Sequence, residues 1–393
     1  MMRVSRRGAV LLLVSALSLP GAARAAASED TLPWIQVGPA IVHPSLALKE
    51  TYSDNVYYTE KNTTNDFITT ILPSVTLNLP FRMHELSLGA SAEFLRYADN
   101  TDLNVSPYEV FVLGDFTIGD RVQVKVGDTY RHAAESPLES PNGSADMYND
   151  NAAALSVKYA FVDVAQVQLD YTKSMLDYPE SAYRTRDEDL VSVFLYYRVL
   201  PVTSAFLEYD FKNVAYDTST ENDNVVQNGH LGATWEISEF SKGTAKIGYQ
   251  AKNYADASQE DYATWTASVD LLHQLSDAAS ARLLGQRAVN EGKDPGVRYY
   301  TTSGVYVDFT YRFLDRLAGQ LEVSYGVDDF SDPPSGKSLV RKDTTARAGL
   351  GAKYSFNGWL DVSAGYAYLV RDSNYAKNDA TANSVNLAVT AHH

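Results

Sequence analysis

The chain has 393 residues, 45% of them hydrophobic, with mean hydropathy −0.25, 27 tyrosines and a formal charge of −16. The absence of cysteine excludes disulfides, thiolate metal sites and covalent c-type haem attachment. The acidic balance argues against nucleic acid as a partner, because binding phosphate needs a basic footprint.

Residues 1–25 read as a secretory signal peptide. Arg3, Arg6 and Arg7 form a positive n-region, Val10 to Leu19 a short apolar stretch, and Ala23-Arg24-Ala25 a small-x-small cleavage site. The apolar run is too short to span a bilayer, so cleavage after Ala25 is expected. The remaining chain would hold 29 basic and 49 acidic residues. No later window is apolar enough for a transmembrane helix. Residues 26–43, Ala-rich and broken by proline, are read as a periplasmic lead-in to a single domain over 44–393.

From Ser45 onward the sequence alternates with a period of two, the signature of strands with one apolar and one polar face. Strands are expected at 45–52, 67–79, 86–94, 108–118 and 122–127. They continue at 153–161, 167–171, 191–199, 205–211, 231–237 and 245–249. The last are 263–271, 280–288, 305–313, 321–325, 346–356, 360–370 and from 382 to the terminus. In 280–288 the Leu283-Leu284 pair interrupts the alternation.

The clearest hairpin sets Ala346, Ala348, Leu350, Ala352, Tyr354 and Phe356 before Asn357-Gly358, and Leu360, Val362, Ala364, Tyr366, Tyr368 and Val370 after it. Facing residues must share a side, so Phe356 is matched with Leu360. That requires a three-residue connection or a bulge. Each arm has about 11 alternating residues, the length a tilted strand needs to cross a bilayer.

Long connections at 53–65, 99–106, 135–150, 177–189, 217–228, 289–298 and 328–342 alternate with short ones at 80–84, 119–120, 162–164, 200–203 and 357–359. This asymmetry predicts an all-β fold: a transmembrane antiparallel β-barrel of about 18 strands, with long extracellular loops and short periplasmic turns. A β-sandwich would need a second sheet over its apolar face, whereas a barrel leaves that face to lipid. Trp235, Trp265, Trp359 and Tyr311 stand near strand ends, where aromatic girdles belong.

The polar face should line an aqueous lumen. Its expected pore-lining charges are Glu93, Asp115, Lys125, Asp170, Arg198, Glu208, Asp210, Lys212, Lys246, Asp308, Arg312, Glu322, Arg347, Lys353 and Asp361. Their mixed signs suit cross-strand ion pairs and a hydrophilic lining together. No Gly-rich phosphate loop or spaced metal-ligand set appears, so no catalytic residue, metal or cofactor is expected. His230, beside Glu236, reads as a structural lumen histidine. Asp187-Glu188-Asp189 and Asp328-Asp329 read as solvated loop acids, with divalent-cation binding alongside lipopolysaccharide as the alternative.

Glu50-Thr51-Tyr52-Ser53-Asp54-Asn55-Val56-Tyr57, followed by Asp66-Phe67-Ile68-Thr69-Thr70-Ile71-Leu72-Pro73-Ser74-Val75, resembles the opening signature of the Putative beta-barrel porin 2 family. The resemblance implies an 18-stranded barrel in the outer membrane of a Gram-negative cell. It also implies partnership with outer-membrane lipid, the barrel-assembly machinery and a periplasmic polysaccharide-export protein. Outer-membrane barrels tend to end on an aromatic residue recognised by that machinery, whereas this chain ends Thr390-Ala391-His392-His393. The function expected is a conduit for exopolysaccharide export. The alternatives are a diffusion porin for small polar solutes and a barrel sleeve for a periplasmic cytochrome.

Overall fold

The computed structural model describes residues 35–140, 143–238 and 240–393; the expected signal segment, 1–25, lies outside them. A three-residue strand, Ile35–Val37, turns into the first wall strand. The wall then runs β1 Ala40–Ser53, β2 Asp66–Phe81, β3 in two pieces (His84–Ala92 and Phe94–Tyr97), β4 Tyr108–Ile118, β5 Val122–Ala134 and β6 Met147–Val162. It continues through β7 Ala165–Asp177, β8 Arg186–Leu200, β9 Thr203–Tyr216, β10 Asn224–Ser238, β11 Ser241–Tyr254 and β12 Tyr262–Ser276. The last six are β13 Ala279–Glu291, β14 Tyr299–Leu314, β15 Leu317–Phe330, β16 Lys342–Asn357, β17 Leu360–Ser373 and β18 Ala380–His392. Every neighbour is antiparallel, and β1 closes on β18 from Ser45 opposite His392 to Ser53 opposite Ser384. Eighteen strands form a closed barrel.

The alternation sorts the side chains. Leu46, Leu48, Tyr171, Leu195, Leu207, Leu231, Ile247, Leu350 and Val385 all point outward and are 40–63% exposed. Lipid solvates this row, and the closed ladder satisfies the backbone inside the bilayer.

Among the described residues, six of the short turns share one construction. A register shift sets one extra residue before a two-residue turn, at Ala160/Val162, Arg198/Leu200, Glu236/Ser238, Gln274/Ser276, Arg312/Leu314 and Ser355/Asn357. Phe161, Val199, Leu275, Phe313 and Phe356 are extra residues of this kind, each exposed on the outer surface. The bulge in the 346–370 hairpin is therefore at Phe356 itself, and Asn357, not Phe356, faces Leu360. Backbone bonds of 2.7–2.9 Å join neighbouring turns in sequence, from Ala160 N to Arg121 O through to His392 N on Trp359 O. A bulge adds twist, and here it repeats around the periplasmic rim.

At the opposite end the strands outrun the apolar pattern. β8 begins at Arg186, β10 at Asn224 and β6 at Met147, while β13 reaches Glu291 and β15 reaches Phe330, so the loops are shorter than the sequence suggests. Ladder bonds are made by backbone, and polar residues continue them above the hydrocarbon. Likewise β1 starts at Ala40, inside the segment read as a lead-in. β13 is a full strand despite Leu283-Leu284. Leu283 faces Val307 and Leu271 outward, while Leu284 turns inward opposite Asp270.

One seam interrupts the wall. The β12–β13 ladder stops at Ala267 opposite Arg287, although β13 stays paired with β14 up to Glu291 opposite Tyr299. The top of the β13–β14 hairpin thus departs from β12. Arg287 donates to the Trp265 carbonyl at 2.9 Å across the opening.

Candidate functional site

The candidate site is the lumen and the loops folded over its extracellular half. Fourteen of the fifteen sequence-predicted charges lie on strands, at positions that alternate with the exposed apolar row. Two pair as ladder or diagonal neighbours, and Lys246 on β11 reaches past β10 to Glu208 on β9. Lys125 lies 3.6 Å from Asp115, Lys246 2.5 Å from Glu208, and Lys353 3.4 Å from Asp361. Lys212 instead meets Glu188 at 3.2 Å. Asp308 accepts from Gln320 at 2.5 Å, Asp170 from Gln168 at 2.8 Å, and Glu322 from Gln320 at 3.0 Å. Arg312 donates to the Asp277 carbonyl. Arg198 is exposed near the periplasmic rim. Glu93 falls in the break between the two pieces of β3, and Arg347 faces Leu369 and Ser324 in the ladder.

Two sequence expectations are corrected. Asp187-Glu188-Asp189 is not a solvated loop but the start of β8. Glu188 turns inward onto Arg186 (2.8 Å) and Lys212, while Asp187 and Asp189 turn outward onto Lys173 at 2.8 and 3.1 Å. Strand periodicity splits the acidic run between the faces, and each part finds a cation there. His230 also lies against other partners than Glu236. Its direct cross-strand neighbour is Glu208, with Asp210 on the diagonal.

Sequence reasoning missed the residues that cross the lumen. The loop after β5 closes on itself: Glu139 N and Ser140 N both bond the Ser136 carbonyl, and Asp146 gathers Ser140 Oγ (3.0 Å) and Ser144 Oγ (2.5 Å). This compact turn reaches inward. The Leu138 carbonyl accepts from Arg371 Nη1 on β17, six strands away through the β1–β18 closure. Glu135, at the loop's root, takes a bidentate bond from Arg184 in the β7–β8 loop, at 2.9 and 2.5 Å. Arg184 also lies 4.0 Å over the Tyr178 ring, and Tyr183 Oη donates to the Lys293 carbonyl in the β13–β14 loop at 2.8 Å.

Beneath these loops lies a second layer. Lys252 on β11, 1% exposed, bonds Glu291 at 2.5 Å, and Tyr216 Oη and Asn224 Nδ2 bond the same carboxylate at 2.8 and 3.3 Å. The departure of β13 from β12 carries Glu291 inward to this position. Val297, Tyr300 and Phe330 form a small apolar core under the same hairpin.

The electrostatics follow from the enclosure. Burial pushes the Glu139 carboxyl up. Lys293 opposes this, and neighbouring Glu135 and Asp328 add to it. Burial alone would lower Arg184, but the Glu135 bond and the surrounding tyrosines outweigh it and hold the guanidinium charged. Burial also acts against the Lys293 ammonium, yet Tyr300, Glu139 and Glu135 raise it. Outside this layer an open recess of about 650 Å³ lies among the loops, lined by Tyr183, Glu221, Glu260, Arg298 and Asp332.

Three solved structures are similar in overall course. The outer membrane protein opdK from Pseudomonas aeruginosa has 14% identity and TM-score 0.47 over 90% of this chain and 98% of that one. OccAB3 of Acinetobacter baumannii has 10% identity and TM-score 0.49 over 91% and 100%. OpdL of Pseudomonas aeruginosa has 11% identity and TM-score 0.49 over 91% and 99%. Comparison with curated proteins finds no match. The model of the Putative beta-barrel porin 2 family matches residues 34–393, and the chain belongs to that family: it is an outer-membrane β-barrel porin, a channel rather than an enzyme.

Proposed function

We propose that this porin passes small polar solutes by diffusion through a lumen narrowed from the extracellular side. The observation that carries the reading is the loop contact across the barrel, Leu138 to Arg371. An 18-stranded wall alone would leave a wide aqueous channel. A loop anchored on both sides divides that opening, and the Glu135–Arg184 pair and the Tyr183–Lys293 bond hold it there. The charges at this level are largely matched in sign. Such a lining hydrates a polar solute without strongly selecting one sign of ion.

The exopolysaccharide conduit implied by the family resemblance needs a clear path for a hydrated chain, and a sleeve for a cytochrome needs room for a folded domain. The infolded loops weigh against both. Liposome swelling with sugars of graded size tests the reading. Passage of mono- and disaccharides with exclusion of longer chains is expected, together with a larger limit when residues 136–145 are replaced by a short Gly-Ser linker. Entry of long polysaccharide into liposomes carrying the unaltered barrel would refute it.

A further inference from the structure

Glu208 and Asp210 on β9 and His230 on β10 converge on the inward face of the wall, 6%, 7% and 8% exposed. Each presents a buried atom with no hydrogen-bond partner: Glu208 Oε2, Asp210 Oδ1 and His230 Nδ1. The imidazole is held through its other nitrogen, Nε2 lying 2.9 Å from Thr266 Oγ1. That leaves Nδ1 3.9 Å from Glu208 Oε1 and 3.8 Å from Asp210 Oδ2. Gly248 makes room for the ring; a Cβ there would lie 2.6 Å from His230 Cδ2 and 2.0 Å from the Gly229 carbonyl oxygen.

With Nε2 donating to Thr266, Nδ1 offers a lone pair towards two carboxylates. Three buried acceptors facing one another are costly unless something positive lies between them. Lys246 at 2.5 Å from Glu208 Oε1 and Asn228 at 3.3 Å from Asp210 Oδ2 approach the carboxylates but leave the orphaned atoms unmatched.

We propose that Glu208, Asp210 and His230 form a divalent-cation site in the lumen wall, of the class that takes zinc and its first-row neighbours. One imidazole nitrogen and two carboxylate oxygens suit such ions better than calcium or magnesium, which favour all-oxygen sets. Tetrahedral bonds of about 2.0–2.1 Å put donors roughly 3.4 Å apart. The three ligand atoms lie within 4.8 Å of one another, and the two distances from Nδ1 need to shrink by about half an ångström to meet that geometry. Thr266, Lys246 and Asn228 are then outer partners that orient the ligands.

The test uses the full barrel refolded in detergent and stripped of metal, titrated calorimetrically with zinc chloride and, separately, with cobalt(II) to read its visible spectrum. One zinc per barrel is expected, with affinity lowered at least tenfold in both His230→Gln and Asp210→Asn. The cobalt spectrum of His230→Gln should lose its nitrogen-ligand signature. Circular dichroism and heat-modifiable gel mobility establish that both variants fold. A paired His392→Ala, His393→Ala variant should bind as the parent does. No zinc uptake by the parent, leaving the carboxylates to share a proton, would overturn the proposal. So would uptake unaffected by either wall variant, or uptake lost only with the terminal histidines.

Discussion

Replacing Arg184 by glutamine tests whether the loops close the lumen by specific docking. The guanidinium and the Glu135 carboxylate are 4% and 9% exposed, and they meet through two parallel bonds. Removing the cation leaves Glu135 charged in a site with little water. Truncating one partner of a buried pair costs about 3–5 kcal/mol. Against the docked loop alone, that shifts the ratio of docked to released states by roughly one hundredfold to a few thousandfold. The loss over Tyr178 adds about 0.5–2 kcal/mol more. Single-channel recording in planar bilayers should show a larger and noisier conductance than the parent. The double variant Glu135→Gln, Arg184→Gln should recover most of the quiet, small conductance, because it buries no unpaired charge. The wall ladder is untouched in both, so heat-modifiable mobility should not change. A folded Arg184→Gln channel with parental conductance and noise would refute the argument, as would a double variant no quieter than the single one.

Leu350→Arg places a charge on a lipid-facing position that is 63% exposed and midway along β16; it should cost about 2–4 kcal/mol, read by urea unfolding from lipid vesicles. Gly292→Ala puts a Cβ 1.8 Å from the Val297 carbonyl oxygen, so the β13–β14 loop must open; trypsin should then cut after Lys293 under conditions that leave the parent intact. Glu139 has its carboxyl raised by burial, so the docked loop favours the protonated form. Its docking should be strongest at acid pH and weaken as pH rises through the raised value, so conductance should grow with pH in parallel. Glu139→Gln should flatten that dependence, and a parent channel whose conductance falls as pH rises would contradict the sign.

The wall was legible because a barrel repeats one local rule. Alternation over residues such as Ala346 to Phe356 states which side chains face lipid, and a short turn closes the hairpin that follows. The strand ends were not legible. Arg186 to Asp189 carries no apolar alternation, and only the pairing of Glu188 with Lys212 and of Lys173 with Asp187 identifies it as strand. Period two also assigns each strand residue a face, and that is the basis on which the fifteen charges were named. It could not tell that Lys212 prefers Glu188 to its own-strand neighbour Asp210.

Contacts across the lumen obey no period. Leu138 and Arg371 are 233 residues apart, joined by a side chain and a carbonyl that carry no signature of each other. Their meeting depends on how far the β5–β6 loop curls inward, fixed by Ser136, Ser140 and Asp146, and on where β17 ends. The same limit hid the partners of His230. Once β9 and β10 are joined by a short loop, register alone brings Glu208 opposite His230, but that register depends on β10 beginning at Asn224. The polar run at 217–228 suggested a loop five residues longer than the 217–223 that joins them, and the facing pair keeps its register only if β9 and β10 shorten equally. In this barrel the apolar pattern therefore specifies the wall, while polar residues just beyond the hydrocarbon fix how the loops fold over it.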